Sequence, residues 1–362
     1  MTTPNKCLLI GSSEPYSGKT ATLLGLASQL QARQIDFSYG KPIGTCFDEA
    51  SKTSGSQTSE DCVDEDVAFL IDHLGLSSER VLPTSITLDS DTVRKRLCGD
   101  DRTDYATRIA EAATAGSGLV LLEGAGSLVE GELFDISTAQ LAEKLDAPVM
   151  LVIRYRMGTF VDSLLAAKAM LGDRLVGVAI NDVPIEAMDE MHDCIIPFLE
   201  SRQISVFGTI PLSPLLSSIS VAEIVQKLEA QVLCGNDRLD LMVETLQVGA
   251  MSVNSAIKYF QNARNSAIVT GGDRADIQLA ALETATHCLI LTGHRLTPPA
   301  MVLNRAEEVE IPVLSVELDT LTTIERIDAM FGQMRLQEPA KVQFIKQLIG
   351  EHFDLERLLA SL

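Results

Sequence analysis

Residues 7–20 read C-L-L-I-G-S-S-E-P-Y-S-G-K-T, a short apolar run that closes in a glycine-rich turn and Gly18-Lys19-Thr20. Ala21 to Arg33 then carries apolar residues at helical spacing. Strand, turn and helix in that order predict a phosphate-binding loop (P-loop). In such a loop backbone N–H groups and the helix N-terminus cradle phosphates, the lysine neutralises them, and the Thr20 hydroxyl is placed for Mg²⁺. The strict pattern G-x-x-x-x-G-K-[ST] asks for glycine at position 13, where this chain has Ser13, so Gly11 stands two residues early. The plain alternative is a strand-to-helix turn that happens to carry a lysine.

The rest of the composition narrows the class. A chain of 362 residues accommodates about two domains at ~100–200 residues each. Apolar residues make up 46% of it, enough for ordinary cores, and no run approaches the ~18 apolar residues of a membrane span. The opening M-T-T-P-N-K lacks the basic-then-apolar layout of a secretory signal. Cysteines at 7, 46, 62, 98, 194, 234 and 288 include no C-x-x-C pair, so reduced thiols and a cytoplasmic location are expected, without a zinc site or disulfide frame. A net charge of −21 argues against nucleic acid as a partner, because counterion release needs a basic surface. An anionic ligand must therefore be held by a local device such as the loop around Lys19.

Apolar runs and helical periodicities alternate along the chain. Phe37–Pro42, Gly118–Glu123, Pro148–Ile153, Leu175–Ile180 and Ser205–Ile210 read as strands, with helices at Asp64–Leu74, Asp104–Ala115, Ser137–Leu145, Asp162–Leu171 and Glu186–Ser201. Asp48–Asp61 reads as a surface loop. This alternation predicts right-handed crossovers and a parallel sheet flanked by helices. Ala230–Leu233 reads as a closing strand, and Gly235-Asn236-Asp237 as a turn and domain boundary. Strands at Val243–Val248, Ser266–Thr270, Cys288–Leu291 and Pro312–Val316, alternating with helices, form a second and smaller α/β unit with no phosphate loop of its own. The expected division is 1–235, 236–335 and a helical C-terminal segment 336–362.

Four further places carry chemistry. Glu123 ends the buried run L-V-L-L-E before G-A-G, where a carboxylate reaches Mg²⁺ on nucleotide phosphates. Lys41, in Y-G-K-P-I-G-T, stands at the carboxyl end of a strand, the edge at which open α/β sheets place ligands. Asp64 and Asp66 open a helix and fit N-terminal capping equally well. Asn181, in V-A-I-N-D-V, either caps a turn or hydrogen-bonds a base.

Taken in order, G-K-T, K-P-I-G-T, D-V-A-F-L, L-V-L-L-E-G-A-G, G-V-A-I-N-D-V and G-T-I-P-L resemble the dethiobiotin-synthetase-like ATPases. With G-A-M-S-V-N-S-A (249–256) and V-T-G-G-D-R-A-D-I-Q-L-A-A-L (269–282), almost the whole chain resembles the N-terminal part of long-form phosphotransacetylase, which couples such an ATPase-like domain to a DRTGG domain. The resemblance implies Gly18, Lys19, Thr20 and Ala21 about phosphate, and Thr20, Asp66 and Glu123 about Mg²⁺. It further implies Asn181, Ile210 and Pro211 beside an adenine, with ATP and Mg²⁺ as cofactors. Lys41 matches the synthetase lysine that holds the carbamate or amine, which makes Lys19 and Lys41 the catalytic candidates. The synthetase loop reads G-T-D-T-x-V-G-K-T, whereas Gly11 to Lys19 is one residue longer and carries Glu14-Pro15-Tyr16 on the substrate side. Long-form phosphotransacetylases continue into an acetyltransferase domain. This chain stops soon after the DRTGG-like unit, so acetyl transfer by it alone is not expected.

Three functions fit: a regulatory, nucleotide-sensing protein; an ATP-dependent carboxylase or amide ligase; and a scaffold with a vestigial loop. The partners expected are a nucleotide, an unidentified small metabolite and further copies of the chain, with no nucleic acid and no membrane. In the second unit Asp273 is expected to cap the helix beginning near Ala275, and Arg274 to pair locally or across a dimer interface. His287 and His294 have no second ligand at metal spacing.

Overall fold

Continuous apolar strands need cover on both faces, and the first unit gives it to them. In the computed structural model, residues 6–44, 64–293, 297–331 and 339–362 are described. The expected loop at 48–61, together with Cys46, Cys62 and His294, lies outside the described residues. Seven strands form one sheet: β1 Cys7–Gly11, β2 Phe37–Gly40, β3 Val81–Leu82, β4 Leu119–Glu123, β5 Val149–Arg154, β6 Leu175–Val183 and β7 Ser205–Pro211. Their order is β3-β2-β4-β1-β5-β6-β7, and every pairing is parallel. Leu8, Leu9 and Ile10 of β1, Val120–Leu122 of β4 and Met150–Val152 of β5 are fully buried.

The order fixes where a ligand site can be. From β1 the chain moves to one side for β2 and β3, returns through β4 next to β1, and then builds β5 to β7 on the other side. The connections after β1 and β4 therefore leave neighbouring strands at a switch point, where the crevice of an open parallel sheet forms. The loop at 12–18, the helix α1 (Lys19–Ala32) and Glu123 all stand at that edge.

The first unit comprises residues 1–212 and 337–362, and the second 213–336. The division thus falls at Leu212/Ser213, not at 235. Gln231–Cys234 (β8), read from sequence as closing the first unit, instead pairs antiparallel with Val313–Ser315 (β12) at the edge of the second sheet. Nor is the C-terminal segment separate. Its helix Pro339–His352 lies against α1. Gly25 makes that approach possible, since a Cβ there would stand 2.4 Å from the Cβ of Ile349. Gln29 Nε2 donates to the Ile349 carbonyl at 3.2 Å, and the Asp354 N–H donates to the Phe207 carbonyl of β7 at 2.7 Å.

The second unit holds β8, β9 (Thr245–Val248), β10 (Ser266–Gly271), β11 (Thr286–Thr292) and β12 in the order β8-β12-β11-β10-β9. All pairings except β8–β12 are parallel. Among the described residues no helix is long and apolar enough to cross a membrane.

Candidate functional site

The phosphate loop is built from alternating backbone hands. Tyr16 has φ +57° and Gly18 φ +93°, while Ser17 between them keeps an ordinary negative φ. Such alternation turns successive N–H groups toward one concavity, a nest that suits an anion. The first turn of α1 adds N–H groups with no intrahelical acceptor. Gly18 is needed twice over. Its φ belongs to the left-handed region, and a Cβ on it would stand 2.2 Å from Asn181 Nδ2. The Ser17 hydroxyl is buried in the loop without a hydrogen-bond partner.

Lys19 Nζ donates to Ser12 Oγ at 2.7 Å, and that hydroxyl lies 3.0 Å from the Gly126 carbonyl and 2.9 Å from the Glu14 carbonyl. The lysine is thereby tied to the turn that follows Glu123. Burial pushes its ammonium below the ordinary lysine range, against the opposing pull of Glu123.

Glu123 is 2% exposed and satisfied on both oxygens. Thr20 Oγ1 donates to its Oε1 at 2.9 Å and Tyr39 Oη to its Oε2 at 2.8 Å. The β2–β4 register pairs Tyr39 with Leu121, and side chains two apart on a strand share a face, so the tyrosine reaches along β4 to Glu123. Burial raises the Glu123 carboxyl above its usual range, although Lys41 and Lys19 draw it down. The Tyr39 hydroxyl is raised by burial and by the Glu123 charge.

Lys41 completes the cluster. Its Nζ donates to Asp64 Oδ1 at 2.9 Å and Asp66 Oδ2 at 2.6 Å. Asp64 is also the N-cap of α2 (Glu65–Leu74), its Oδ1 accepting from the N–H groups of Asp66 and Val67. Asp64 thus caps the helix and holds the Lys41 ammonium at once. Burial alone lowers the Lys41 ammonium, but Glu123, Asp66 and Asp64 outweigh it and hold it above the lysine range.

Of the residues singled out from sequence, Gly18, Lys19, Thr20, Lys41, Asp66 and Glu123 come together around one loop. Ala21 is buried in the first turn of α1. Asn181 stands beside them, but its amide donates to the Ser17 carbonyl at 3.1 Å. Ile210 is 1% exposed, and Pro211 is half-buried at the end of β7. Tyr39, Ser12 and Arg154 belong to the same neighbourhood and were not anticipated. Arg154 Nη2 donates to the Tyr16 carbonyl at 2.6 Å, and Arg156 pairs with Glu14 at 3.1 Å. The signal for Tyr39 was its place on the short strand that Lys41 follows. For Arg154 it was a charge ending an apolar strand.

In the second unit Arg274, not Asp273, occupies the N-cap position of the helix Ala275–Leu282, and no side chain caps it. The Arg274 guanidinium instead forks onto Asp276 at 2.9 and 3.1 Å and donates to the Met251 carbonyl at 2.9 Å. A fork onto a nearby carboxylate satisfies the planar guanidinium locally. His287 Nδ1 lies 2.6 Å from the Met242 carbonyl. Among the described residues no group of three or more His, Cys, Asp or Glu side chains is arranged to hold a metal ion.

A family model described as an AAA domain matches residues 6–220, and one described as a DRTGG domain matches residues 223–330. The chain belongs to this AAA domain family, with a DRTGG domain following. It is 29% identical over 256 residues to a phosphate acetyltransferase of Synechocystis sp., covering 66% of this chain and 36% of that protein. To the phosphate acetyltransferase of Nitratidesulfovibrio vulgaris it is 26% identical over 378 residues, covering 97% of this chain and 51% of that protein. The chain therefore spans about half the length, or less, of these curated relatives. The pairing of domains agrees with the long-form phosphotransacetylase N-terminal region. Among solved structures, the CBS and DRTGG domains of a Clostridium perfringens pyrophosphatase regulatory region, complexed with the activator diadenosine tetraphosphate, give a TM-score of 0.29 at 19% identity, covering 46% of this chain and 78% of that one.

Proposed function

We propose that the AAA domain binds ATP with Mg²⁺, and that the chain is a regulatory, nucleotide-sensing protein related to the non-catalytic part of phosphotransacetylase. The observation that carries this reading is the Thr20–Glu123 hydrogen bond with Lys19 in electrostatic reach of the same carboxylate, at the switch point of the sheet. A decayed loop has no reason to keep a hydroxyl bonded to a buried carboxylate with a lysine within the electrostatic reach of that same carboxylate.

The donors fit the ion. Thr20, Glu123 and Asp66 offer the hard oxygens that Mg²⁺ takes alongside phosphate oxygens and water, and they would hold it here. When bound, Mg²⁺ spreads positive charge over the phosphates. The chain's own residues do the rest. The nest at Tyr16–Gly18 and the first turn of α1 receive phosphate oxygens, and Lys19 leaves Ser12 to neutralise them. Ile210 and Pro211 are assigned to the side of the base, while the Asn181 amide stays on the Ser17 carbonyl. The DRTGG domain is assigned the sensing of a small metabolite or the assembly of copies of this chain.

Two features favour sensing over ligation. The Lys41 ammonium is engaged by Asp64 and Asp66, so presenting it to a carbamate costs both of these ion pairs. On the substrate side, Glu14 is paired with Arg156. The ligase reading keeps one point in its favour, the mutual electrostatic reach of Lys19 and Lys41, which would place both cations near a transferred phosphoryl group.

The test is a titration of ATP with Mg²⁺ beside a phosphate-release assay. Binding without turnover is expected. Turnover stimulated by a small carboxylate or amine would establish the ligase, and no binding would leave the vestigial scaffold.

A further inference from the structure

Arg154 and Asn181 are register partners across β5 and β6, and their side chains take two consecutive carbonyls of the phosphate loop. Arg154 Nη2 donates to Tyr16 O at 2.6 Å, and Asn181 Nδ2 donates to Ser17 O at 3.1 Å. In a trans peptide the C=O and the following N–H point in opposite directions. Turning the Tyr16 and Ser17 carbonyls outward to these two side chains therefore turns the Ser17 and Gly18 N–H groups inward. The alternating hands of Tyr16, Ser17 and Gly18 give the same result, and the Ser17 hydroxyl is buried there with no partner of its own.

We infer that Arg154 is a positioning residue of the phosphate site: with Asn181 it holds the lengthened loop in its anion-receiving shape, acting on backbone carbonyls and not on the ligand. Arg154 is itself braced by an ion pair with Asp182 at 2.8 Å. The next arginine in the chain works differently. Arg156 meets the Glu14 side chain, is more than half exposed, and among the described residues makes no hydrogen bond to the loop's backbone. This deepens the nucleotide reading and rests on it. It explains why a loop without glycine at position 13 keeps the nest: neighbouring strands hold from outside what a glycine would permit from within.

The experiment measures calorimetric affinity for inorganic tripolyphosphate and for ATP, each with Mg²⁺, in the wild-type chain and in Arg154→Met, Arg154→Lys and Arg156→Met. Loss of a charged donor to a structural carbonyl predicts that Arg154→Met weakens both ligands by about tenfold or more. Arg154→Lys, still able to reach Tyr16 O, should recover most of that. Arg156→Met should cost clearly less, although it removes the same charge. Unchanged affinities in Arg154→Met would overturn the inference, and so would equal losses in the two methionine variants, which would mean a general charge effect. Should Arg154→Met fail to fold, Asp182→Asn removes only the brace. A loss of a few-fold is then expected, and wild-type affinity would overturn the inference. Wild type that binds tripolyphosphate but not ATP would sink the nucleotide reading alone, and wild type that binds neither would sink both.

Discussion

The Thr20 hydroxyl donates to Glu123 Oε1 at 2.9 Å across 103 positions of sequence. One residue follows β1 and the other ends β4, and the parallel register that pairs Ile10 with Glu123 brings them face to face. If this pair is where Mg²⁺ is held, Glu123→Gln keeps the shape and removes the charge. The gain in ATP affinity that Mg²⁺ confers over EDTA should shrink by about tenfold. Paired titrations measure it, and an unchanged ratio would move the metal elsewhere.

Tyr39 Oη is fully buried and donates to the second Glu123 oxygen. Tyr39→Phe leaves that oxygen unpaired in the interior, which costs about 1–3 kcal/mol. Urea unfolding should show the loss. A midpoint equal to wild type would mean that this hydrogen bond does not contribute.

Gly25 separates two expectations of opposite sign. In a helix, Gly→Ala gains about 1 kcal/mol, but here the new Cβ meets Ile349 at 2.4 Å, and overpacking costs about 1–3 kcal/mol. Gly25→Ala should therefore destabilise the chain, and in an Ile349→Gly background, which removes the opposing Cβ, that cost should disappear. Thermal unfolding of the double-mutant cycle measures the coupling. An additive cycle would contradict the close packing of α1 on the C-terminal helix.

Lys41 predicts an alkaline dependence. Its folded-state pKa is raised above the ordinary 10.5. The folded chain thus binds the proton more tightly than the unfolded chain, so the contribution is complete below 10.5 and is lost as pH rises through the raised value. Unfolding midpoints between neutral pH and about pH 11 should decline more steeply in wild type than in Lys41→Met. Parallel declines would show that the ion cluster contributes nothing through this proton.

The cluster around the loop was legible because its signals are local. Gly18-Lys19-Thr20 follows an apolar run, Glu123 ends one, and Lys41 follows another. The remainder depends on register, which a pattern of apolar residues leaves open. Tyr39 looks like any strand aromatic until β2 is set beside β4. The choice Asn181 makes between a base and the Ser17 carbonyl depends on how far the lengthened loop leans toward β6. Strands of two residues, such as Val81–Leu82, are too short to show a period. Gln231–Cys234 has the composition of a strand whichever sheet it joins, so only its pairing with Val313–Ser315 reveals the boundary at 212. At Asp273 the rule for capping residues lost to geometry, since the N-cap position falls one residue later, at Arg274.

Calorimetric titration of ATP with Mg²⁺ into the wild-type chain and into Lys19→Ala tests the central claim most directly. Lys19 is held by Ser12 within the loop, and its removal takes away a cation placed to neutralise phosphate there. One ATP per chain is expected for wild type, with affinity falling at least about a hundredfold in Lys19→Ala while the fold is kept. Equal binding by both proteins, or none by wild type, would contradict the assignment of a nucleotide to this loop.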